Sequence, residues 1–185
     1  VALLSGEGDR SFAPLNNQIT YPEDYIYQRV LTVIHMDIDG KGRPDLLIGT
    51  HGLMFEKCTP VPDLGDGADV LWEGERVLGA NIECLLATED GRYEPSPPGV
   101  CPDDMTERTV GPIWAAGLAD INHDRRADVI IGNDSAENFV LLSHGQNKLI
   151  DVTTLTGTRL ENHAMGFALD DFNGDGLLDM YVSDL

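Results

Sequence analysis

The fold of this chain is decided by an acidic nine-residue stretch that occurs three times. The copies are Asp37-Ile-Asp39-Gly-Lys41-Gly-Arg43-Pro-Asp45 (loop 1), Asp120-Ile-Asn122-His-Asp124-Arg-Arg126-Ala-Asp128 (loop 2) and Asp171-Phe-Asn173-Gly-Asp175-Gly-Leu177-Leu-Asp179 (loop 3). Positions 1, 3, 5 and 9 carry side-chain oxygens, except that Lys41 stands at position 5 of loop 1. Alternate residues of a tight turn point into one small space, and a hard cation bound by about six to eight oxygens fits that space. Ca²⁺ is therefore the expected ligand of these loops.

The loops are predicted to join strands and not helices. They share the opening D-x-[DN]-x-[DN]-G with the helix-flanked calcium loop, but an Asp at position 9 replaces the late Glu of that motif. A short apolar run typical of a strand follows each copy. These runs are Leu46-Leu-Ile48, Val129-Ile-Ile131 and Met180-Tyr-Val182.

The three copies are expected to differ as metal sites. Loop 3 is complete, and Gly174 and Gly176 are free to adopt positive φ angles. Loop 2 has Arg125 where glycine is expected, which predicts modest backbone strain. In loop 1 the Lys41 ammonium either weakens the site or replaces the ion with a salt bridge.

Composition limits the classes of partner. The chain has 185 residues, 42% of them hydrophobic, which favours a folded domain. Its formal net charge of −20 argues against nucleic acid or an anionic membrane surface. The sequence contains no apolar run long enough for membrane insertion, and it has neither a secretory signal nor a starting Met, so we interpret it as a mature or excised segment. Calcium loops without helices suit a calcium-rich exterior, which predicts an extracellular or cell-surface location.

The three cysteines predict one disulfide and one thiol in an oxidising compartment, with three pairings open. We favour Cys58–Cys101, because both residues lie in irregular sequence while Cys84 lies in an apolar, strand-like run. Three reduced cysteines remain the alternative. Asn133-Asp-Ser135 matches the N-glycosylation acceptor pattern, which is common by chance.

A four-strand unit surrounds loop 2. Its predicted strands are Trp114–Asp120, Asp128–Gly132, Asn138–Ser143 and Lys148–Val152. Four short antiparallel strands repeated at a fixed interval are typical of a β-propeller blade. Loops 2 and 3 start 51 residues apart and loops 1 and 2 start 83 apart, so the first unit carries an insertion. The predicted fold class is all-β, with propeller blades whose calcium loops join strands 1 and 2.

We interpret residues 1–185 as one propeller segment of about three blades. The insertion, 51–80, is expected to be turn-rich and irregular. The other parts are closing strands of a blade at 1–15, a first blade at 26–95, a loop at 95–110, a second blade at 111–153 and the first half of a third at 163–185. The two ends are then complementary halves of a blade. Three arrangements satisfy this: a slice of a longer propeller, two copies closing a six-bladed ring, or head-to-tail pairing into a filament.

Several stretches resemble the FG-GAP/VCBS-type repeats that occur in integrin α-subunit heads and in bacterial surface proteins. The resemblance is stronger to the repeats of the bacterial secreted group. The stretches are Gly8–Pro14, Ala127–Gly132, Met165–Ala168 and Asp171–Val182. The resemblance implies a calcium-stabilised β-propeller on an extracellular or surface protein. It also implies that the position 7 carbonyl joins the side chains of positions 1, 3, 5 and 9 as a calcium ligand, which adds Arg43, Arg126 and Leu177.

The expected function is a non-enzymatic structural or adhesive module, in a surface assembly or filament. A glycan- or protein-binding module that uses residues 51–80 and 95–110 is the alternative, and an appendage of a secreted enzyme comes third. The sequence shows no nucleophile elbow, phosphate-binding glycine loop or zinc-ligand spacing. His35, His123 and His163 lie in or near the loops and are interpreted as structural. Fold alone does not identify a ligand.

Overall fold

The structure is a computed structural model that describes residues 3–6, 12–15, 29–51, 53–60, 70–77, 82–102, 112–145, 147–159 and 161–184. These residues form antiparallel β-sheets and one short helix. The elements are β1 (Leu3–Gly6), β2 (Phe12–Leu15), β3 (Arg29–Met36), β4 (Asp45–His51), β5 (Leu53–Pro60), β6 (Val70–Val77), β7 (Ile82–Ala87), β8 (Tyr93–Pro95), β9 (Ile113–Ala119), β10 (Asp128–Glu137), β11 (Phe139–His144), β12 (Lys148–Asp151), α1 (Thr153–Thr156), β13 (Glu161–Asp170) and β14 (Asp179–Asp184). The all-β prediction is confirmed.

The first sheet has the strand order β3-β4-β7-β8. Loop 1 joins β3 to β4, whose register begins at the pair Met36–Asp45. The β4 strand also pairs with β7, with Leu47 opposite Cys84. Four antiparallel strands with the acidic loop between the first two agree with the unit that the sequence predicts here.

We call β9, β10, β11 and β12 the second sheet; they are neighbours in chain order within a six-stranded sheet that also contains β13 and β14. Each of the four strands begins within one residue of its predicted start. The main difference is that β10 continues five residues past the predicted end at Gly132, to Glu137. This extension pairs with β13, with Asp134 opposite His163 and an irregularity before Ala136. The β10 extension therefore joins the second sheet to the hairpin of β13 and β14, which loop 3 connects.

The insertion is more regular than expected. Within 51–80, β5 and β6 form an antiparallel hairpin with Leu53 opposite Val77 and Pro60 opposite Val70. The prediction of irregular structure is wrong for these two strands, because the turn-forming residues concentrate between them and not within them. Residues 52, 61–69 and 78–80 of the insertion, and 103–110 of the 95–110 loop, lie outside the described residues.

One hydrophobic core joins the first two sheets. Buried side chains of both sheets belong to it, among them Ile34, Leu47, Cys84, Ile113, Ile131, Phe139 and Leu141. The sheets approach closely at Gly49, where an added Cβ would lie 2.7 Å from Ile113 Cγ2. This packing brings loops 1 and 2 to the same side of the core, where they border a common cleft.

The disulfide joins Cys84 of β7 to Cys101, with the Cα atoms 6.5 Å apart. The preferred pairing Cys58–Cys101 is therefore wrong. Residues after β8 turn back over the core, since Ser96 N–H donates to Cys84 O at 2.8 Å and Leu149 N–H donates to Val100 O at 2.8 Å. The irregular sequence around Cys58 did not indicate the disulfide partner of Cys101. A cysteine in a buried strand can form a disulfide with any cysteine that the chain brings back over that strand.

Replacing Cys101 by Ser is expected to lower the free energy of unfolding by about 3 kcal/mol, because the bridge closes a loop of 17 residues in the unfolded chain. Denaturant unfolding checks this, with Cys58→Ser as the matched variant that keeps the bridge. Peptide mapping that finds Cys58 bonded to Cys101 in the native protein would contradict the observed pairing.

Within the residues that the structure describes, no helix has the length and apolar character needed to cross a bilayer.

Candidate metal centres

The three acidic loops occupy equivalent places in the sheets. Each follows the first strand of a hairpin and precedes the second, so the residues that bracket it face each other as a strand pair. The bracketing pairs are Met36–Asp45, Ala119–Asp128 and Asp170–Asp179. The strand–loop–strand context predicted from the apolar runs is confirmed.

The Asp at position 9 fastens each loop to its strands. One oxygen of this Asp accepts the backbone N–H of position 2, over 2.8 Å at Asp45 and at Asp128 and 3.0 Å at Asp179. In loops 1 and 2 the other oxygen accepts an N–H from the sheet's third strand, from Ala87 at 2.7 Å and from Ser143 at 2.9 Å. Asp45 and Asp128 are fully buried, so each carboxylate satisfies backbone donors that have limited access to water.

The Asp at position 1 closes the loop on itself by accepting the N–H of position 6. The distances are 2.8 Å from Gly42 to Asp37, 2.9 Å from Arg125 to Asp120 and 2.8 Å from Gly176 to Asp171. In loop 3 the hydrogen bond from Gly176 and others from Gly174 and Asp175 hold the pKa of Asp171 below its ordinary value, against the opposing effect of desolvation. Asp171 is therefore charged at neutral pH, as a metal ligand must be.

Positions 4 and 6 of every loop have left-handed backbone. Loops 1 and 3 place glycines there, with φ angles of 70° and 76° at Gly40 and Gly42 and of 78° and 83° at Gly174 and Gly176. Loop 2 places His123 at 59° and Arg125 at 68°. The expected strain at Arg125 is present, and His123 adds a second strained residue that we did not predict. Side chains in this conformation cost roughly 1–2 kcal/mol each.

Loop 1 brings its carboxylates closest together. Asp37, Asp39 and Asp45 each present an oxygen within 4.8 Å of the others, and among the described residues this is where three acidic side chains meet in this way. Asp39 is 4% exposed, and its Oδ2 atom is buried without a hydrogen-bond partner. Three carboxylates this close together repel one another unless cations lie among them, so the donor set fits Ca²⁺.

Lys41 forms the salt bridge that the sequence allowed. Its Nζ lies 2.6 Å from Asp39 Oδ2, an ion pair whose geometry does not make it a hydrogen bond. The Lys41 side chain is 57% exposed, so it can turn into solvent. Lysine and a metal ion are therefore competing partners for the same oxygen.

Loops 2 and 3 hold positions 3 and 5 together by an amide contact. Asn122 Nδ2 donates to Asp124 at 3.1 Å, and Asn173 Nδ2 donates to Asp175 at 3.1 Å. In loop 2, Asp124 also accepts Arg126 Nη2 at 2.7 Å. Desolvation acts to raise the pKa of Asp124, but hydrogen bonds from Arg126 and Asn122 outweigh it, and the pKa lies below its ordinary value. Position 5 is thus held as a carboxylate next to position 3.

The position 7 carbonyls follow from the resemblance and not from any contact in the structure. Their residues do lie in the loops: Arg126 and Leu177 each donate a backbone N–H to the Asp at position 5, at 2.9 Å and 2.8 Å. In loop 1, Arg43 uses its side chain for the fold, because its Nε donates to Ala87 O at 3.2 Å.

A polar cluster that sequence reasoning missed lies where β10 meets β13. His163 Nδ1 is 2.7 Å from Asp134 Oδ1, and Trp114 Nε1 donates to Asp134 Oδ2 at 3.2 Å. No pattern in the sequence predicted this cluster, because it forms only where β10 extends past Gly132 and pairs with β13. His163 therefore contacts a carboxylate outside the acidic loops.

Asn133 does not suit glycan attachment, because its side chain is fully buried. Its backbone N–H donates to Asn138 Oδ1 at 2.9 Å. Glycosylation acceptors lie on the surface, so the tripeptide is a chance match in this conformation.

Comparison with known families supports the repeat. Residues 120–182 match the family model for the FG-GAP-like repeat. That stretch runs from the start of loop 2 through β10, β11, β12 and β13 to β14, and includes loop 3. No curated protein matches the chain.

Proposed function

We propose that this chain is a calcium-stabilised β-propeller module with a non-enzymatic, structural or adhesive role outside the cell. Support for the propeller comes from the FG-GAP-like repeat at residues 120–182 and from two sheets in which four antiparallel strands carry the same acidic loop. Repeats of this kind bury a continuous core by stacking on their neighbours.

The single observation that carries calcium binding is the acidic cluster of loop 1, in which Asp37, Asp39 and Asp45 each present an oxygen within 4.8 Å of the others. Their like charges are unfavourable together unless cations neutralise them, and Lys41 supplies only one positive charge. The proposed ligands are the side chains at positions 1, 3, 5 and 9 with the position 7 carbonyl, Lys41 excepted. When bound, Ca²⁺ supplies a cross-link between the two strands that each loop joins.

Support for an extracellular or cell-surface location comes from the Cys84–Cys101 disulfide. Disulfides persist in oxidising compartments and are rare where thiols are kept reduced. Loops without helix switching also suit the higher calcium concentrations outside cells.

Self-association is proposed to use the outer edge of β14. Its counterparts β4 and β10 each pair with a third strand, and that strand donates an N–H to the Asp at position 9. Asp179 holds the same position, and Tyr181 of β14 is exposed. The β1 strand, Leu3-Leu4-Ser5, matches Leu141-Leu142-Ser143 of β11 in sequence. A β1–β2 hairpin from a second copy, or the remainder of a longer propeller, would supply the third strand.

A glycan- or protein-binding role for residues 51–80 is the second candidate function. The observation that favours it is that β5 and β6 form a sheet of their own, apart from the four-stranded sheets. Long insertions of this kind on a rigid scaffold are frequent sites of binding.

Calcium titration of the purified chain tests the proposal. We expect binding in the micromolar to millimolar range, stronger than that of Mg²⁺, which demands six ligands in a more rigid geometry. Asp175→Ala in the complete loop 3 is expected to remove more binding than Asp37→Ala in loop 1, where Lys41 competes. Equal losses would contradict this order of the sites, and no binding at all would overturn the calcium role.

A further inference from the structure

A cleft of about 380 Å³ lies between loops 1 and 2. Loop 2 contributes Arg125 and Arg126 to its wall, loop 1 contributes Asp37, and Leu118 and His35 complete it from β9 and β3. Its volume is near the lower end of small-molecule sites, which run from roughly 300 to 1,000 Å³. No described residue of the 51–80 insertion lines the cleft, whereas loop 1 contributes Gly40 and the proposed calcium ligand Asp37.

Arg125 is the unusual residue of this cleft. Its φ angle is 68°, at the loop position where Gly42 and Gly176 stand in the other copies. The side chain is exposed, and no hydrogen bond or ion pair of its guanidinium is found among the described residues. A residue that holds an exposed cation on strained backbone is the kind of outlier that points to function.

Arg126, the next residue along the chain, adds a second arginine side chain to the lining of the cleft. Its Nη2 is engaged by Asp124 at 2.7 Å, which leaves other N–H groups of its five-donor fork available. Asp37 also lines the cleft and accepts Gly42 N–H at 2.8 Å, so its carboxylate keeps its negative charge there. Two guanidinium groups and one carboxylate therefore line the cleft, on a chain of net charge −20.

The remaining wall suits a sugar ring. Leu118 is an apolar residue that is 40% exposed, and it offers a surface for the C–H face of a ring. His35 is exposed on β3 and offers ring nitrogens to hydroxyl groups. Arginine pairs with a carboxylate through two parallel hydrogen bonds, and an apolar and a polar side chain in the same lining favour a ring over a bare anion.

We propose that this cleft binds a short acidic saccharide, a uronic acid whose carboxylate pairs with Arg125 and Arg126 while its ring packs on Leu118. This deepens the adhesive role proposed above and rests on it for biological meaning. The proposed contacts to the saccharide use the side chains of Arg125, Arg126 and Leu118. None of these side chains is a proposed calcium ligand, although the backbone carbonyl of Arg126 is one.

The test is calorimetric titration of the full chain, in calcium-containing buffer, with digalacturonate and with neutral digalactose. We expect digalacturonate to bind and digalactose to bind at least about tenfold more weakly, as loss of a charge-assisted pair predicts. Arg125→Gly is expected to weaken digalacturonate binding by about tenfold or more. Its thermal midpoint should stay unchanged or rise, because glycine relieves the left-handed strain.

Two controls separate the outcomes. Arg92→Gly removes an exposed arginine that pairs with Asp90, far from the cleft in sequence, and should leave saccharide binding intact. Calcium binding of Arg125→Gly should match the native chain, since its side chain is not a proposed ligand. Saccharide binding that survives Arg125→Gly, equal binding of the neutral sugar, or preference for a glutamate-containing tripeptide would each overturn the acidic-saccharide site. Failure of calcium binding with saccharide binding intact would instead count against the calcium proposal alone.

Discussion

Asp128→Ala is expected to destabilise the chain by about 3–5 kcal/mol, because two hydrogen bonds to a charged acceptor are lost and each contributes about 1.5–3 kcal/mol. Asp128 is fully buried. Its oxygens accept Ile121 N–H at 2.8 Å and Ser143 N–H at 2.9 Å. Both donors lose their partner in the variant, and the third strand loses a link to loop 2. Denaturant unfolding in the presence of chelator measures this effect without any contribution from bound metal.

Asp179→Ala is the matched control, since Asp179 holds the same position in loop 3. Its one hydrogen bond within the described residues comes from Phe172 N–H at 3.0 Å, in an exposed setting. We expect a loss of about 1 kcal/mol. Equal destabilisation by the two variants in chelator would contradict the view that burial and the link to the third strand make position 9 structural.

Removing divalent ions is expected to lower the melting temperature by many degrees. When the free Ca²⁺ concentration is about 100 times the Kd, one site adds about 2.7 kcal/mol to the free energy of unfolding. For a chain of this size, that corresponds to a change in melting temperature of roughly 5–10 °C per site. In loop 1 the physical cause is the acidic cluster of Asp37, Asp39 and Asp45, which loses its counter-ion. Lys41 already pairs with Asp39, so loop 1 should contribute less than the full amount.

Thermal unfolding followed by circular dichroism, with and without EDTA, measures this loss. Added Ca²⁺ should restore the melting temperature, and Mg²⁺ should restore it less, because it gives up its water reluctantly. A melting temperature that EDTA leaves unchanged would show that the loops are held by their own hydrogen bonds and by Lys41, without a metal.

Local pattern was sufficient to predict most of the sheets. The strands around loop 2 were expected from apolar runs and turn residues, and β9, β11 and β12 begin within one residue of their predicted starts. Turn chemistry also predicted left-handed backbone at Arg125. These features depend on residues close in sequence, whose side-chain period and φ preferences act within a few residues.

Contacts between distant residues were predicted poorly. The pairing of Cys84 with Cys101 depends on a segment folding back across the core, and the extension of β10 to Glu137 depends on β13, which begins more than twenty residues later. The hairpin of β5 and β6 was not predicted, because the turn-forming residues between the two strands suggested irregular structure for the whole insertion.

By itself, the amino-acid sequence determined that three loops of one design join antiparallel strands, because oxygen spacing, glycine positions and apolar runs are local properties. Only the tertiary structure decided which carboxylates meet and which are buried. Asp39 and Asp45 are buried, and the third strand bonds to Asp45 through Ala87 N–H, while most of loop 3 is exposed. The cleft beside Arg125 likewise exists because the packing of two sheets places loops 1 and 2 side by side. Burial and proximity depend on the whole chain's packing, and no short stretch of sequence specifies them.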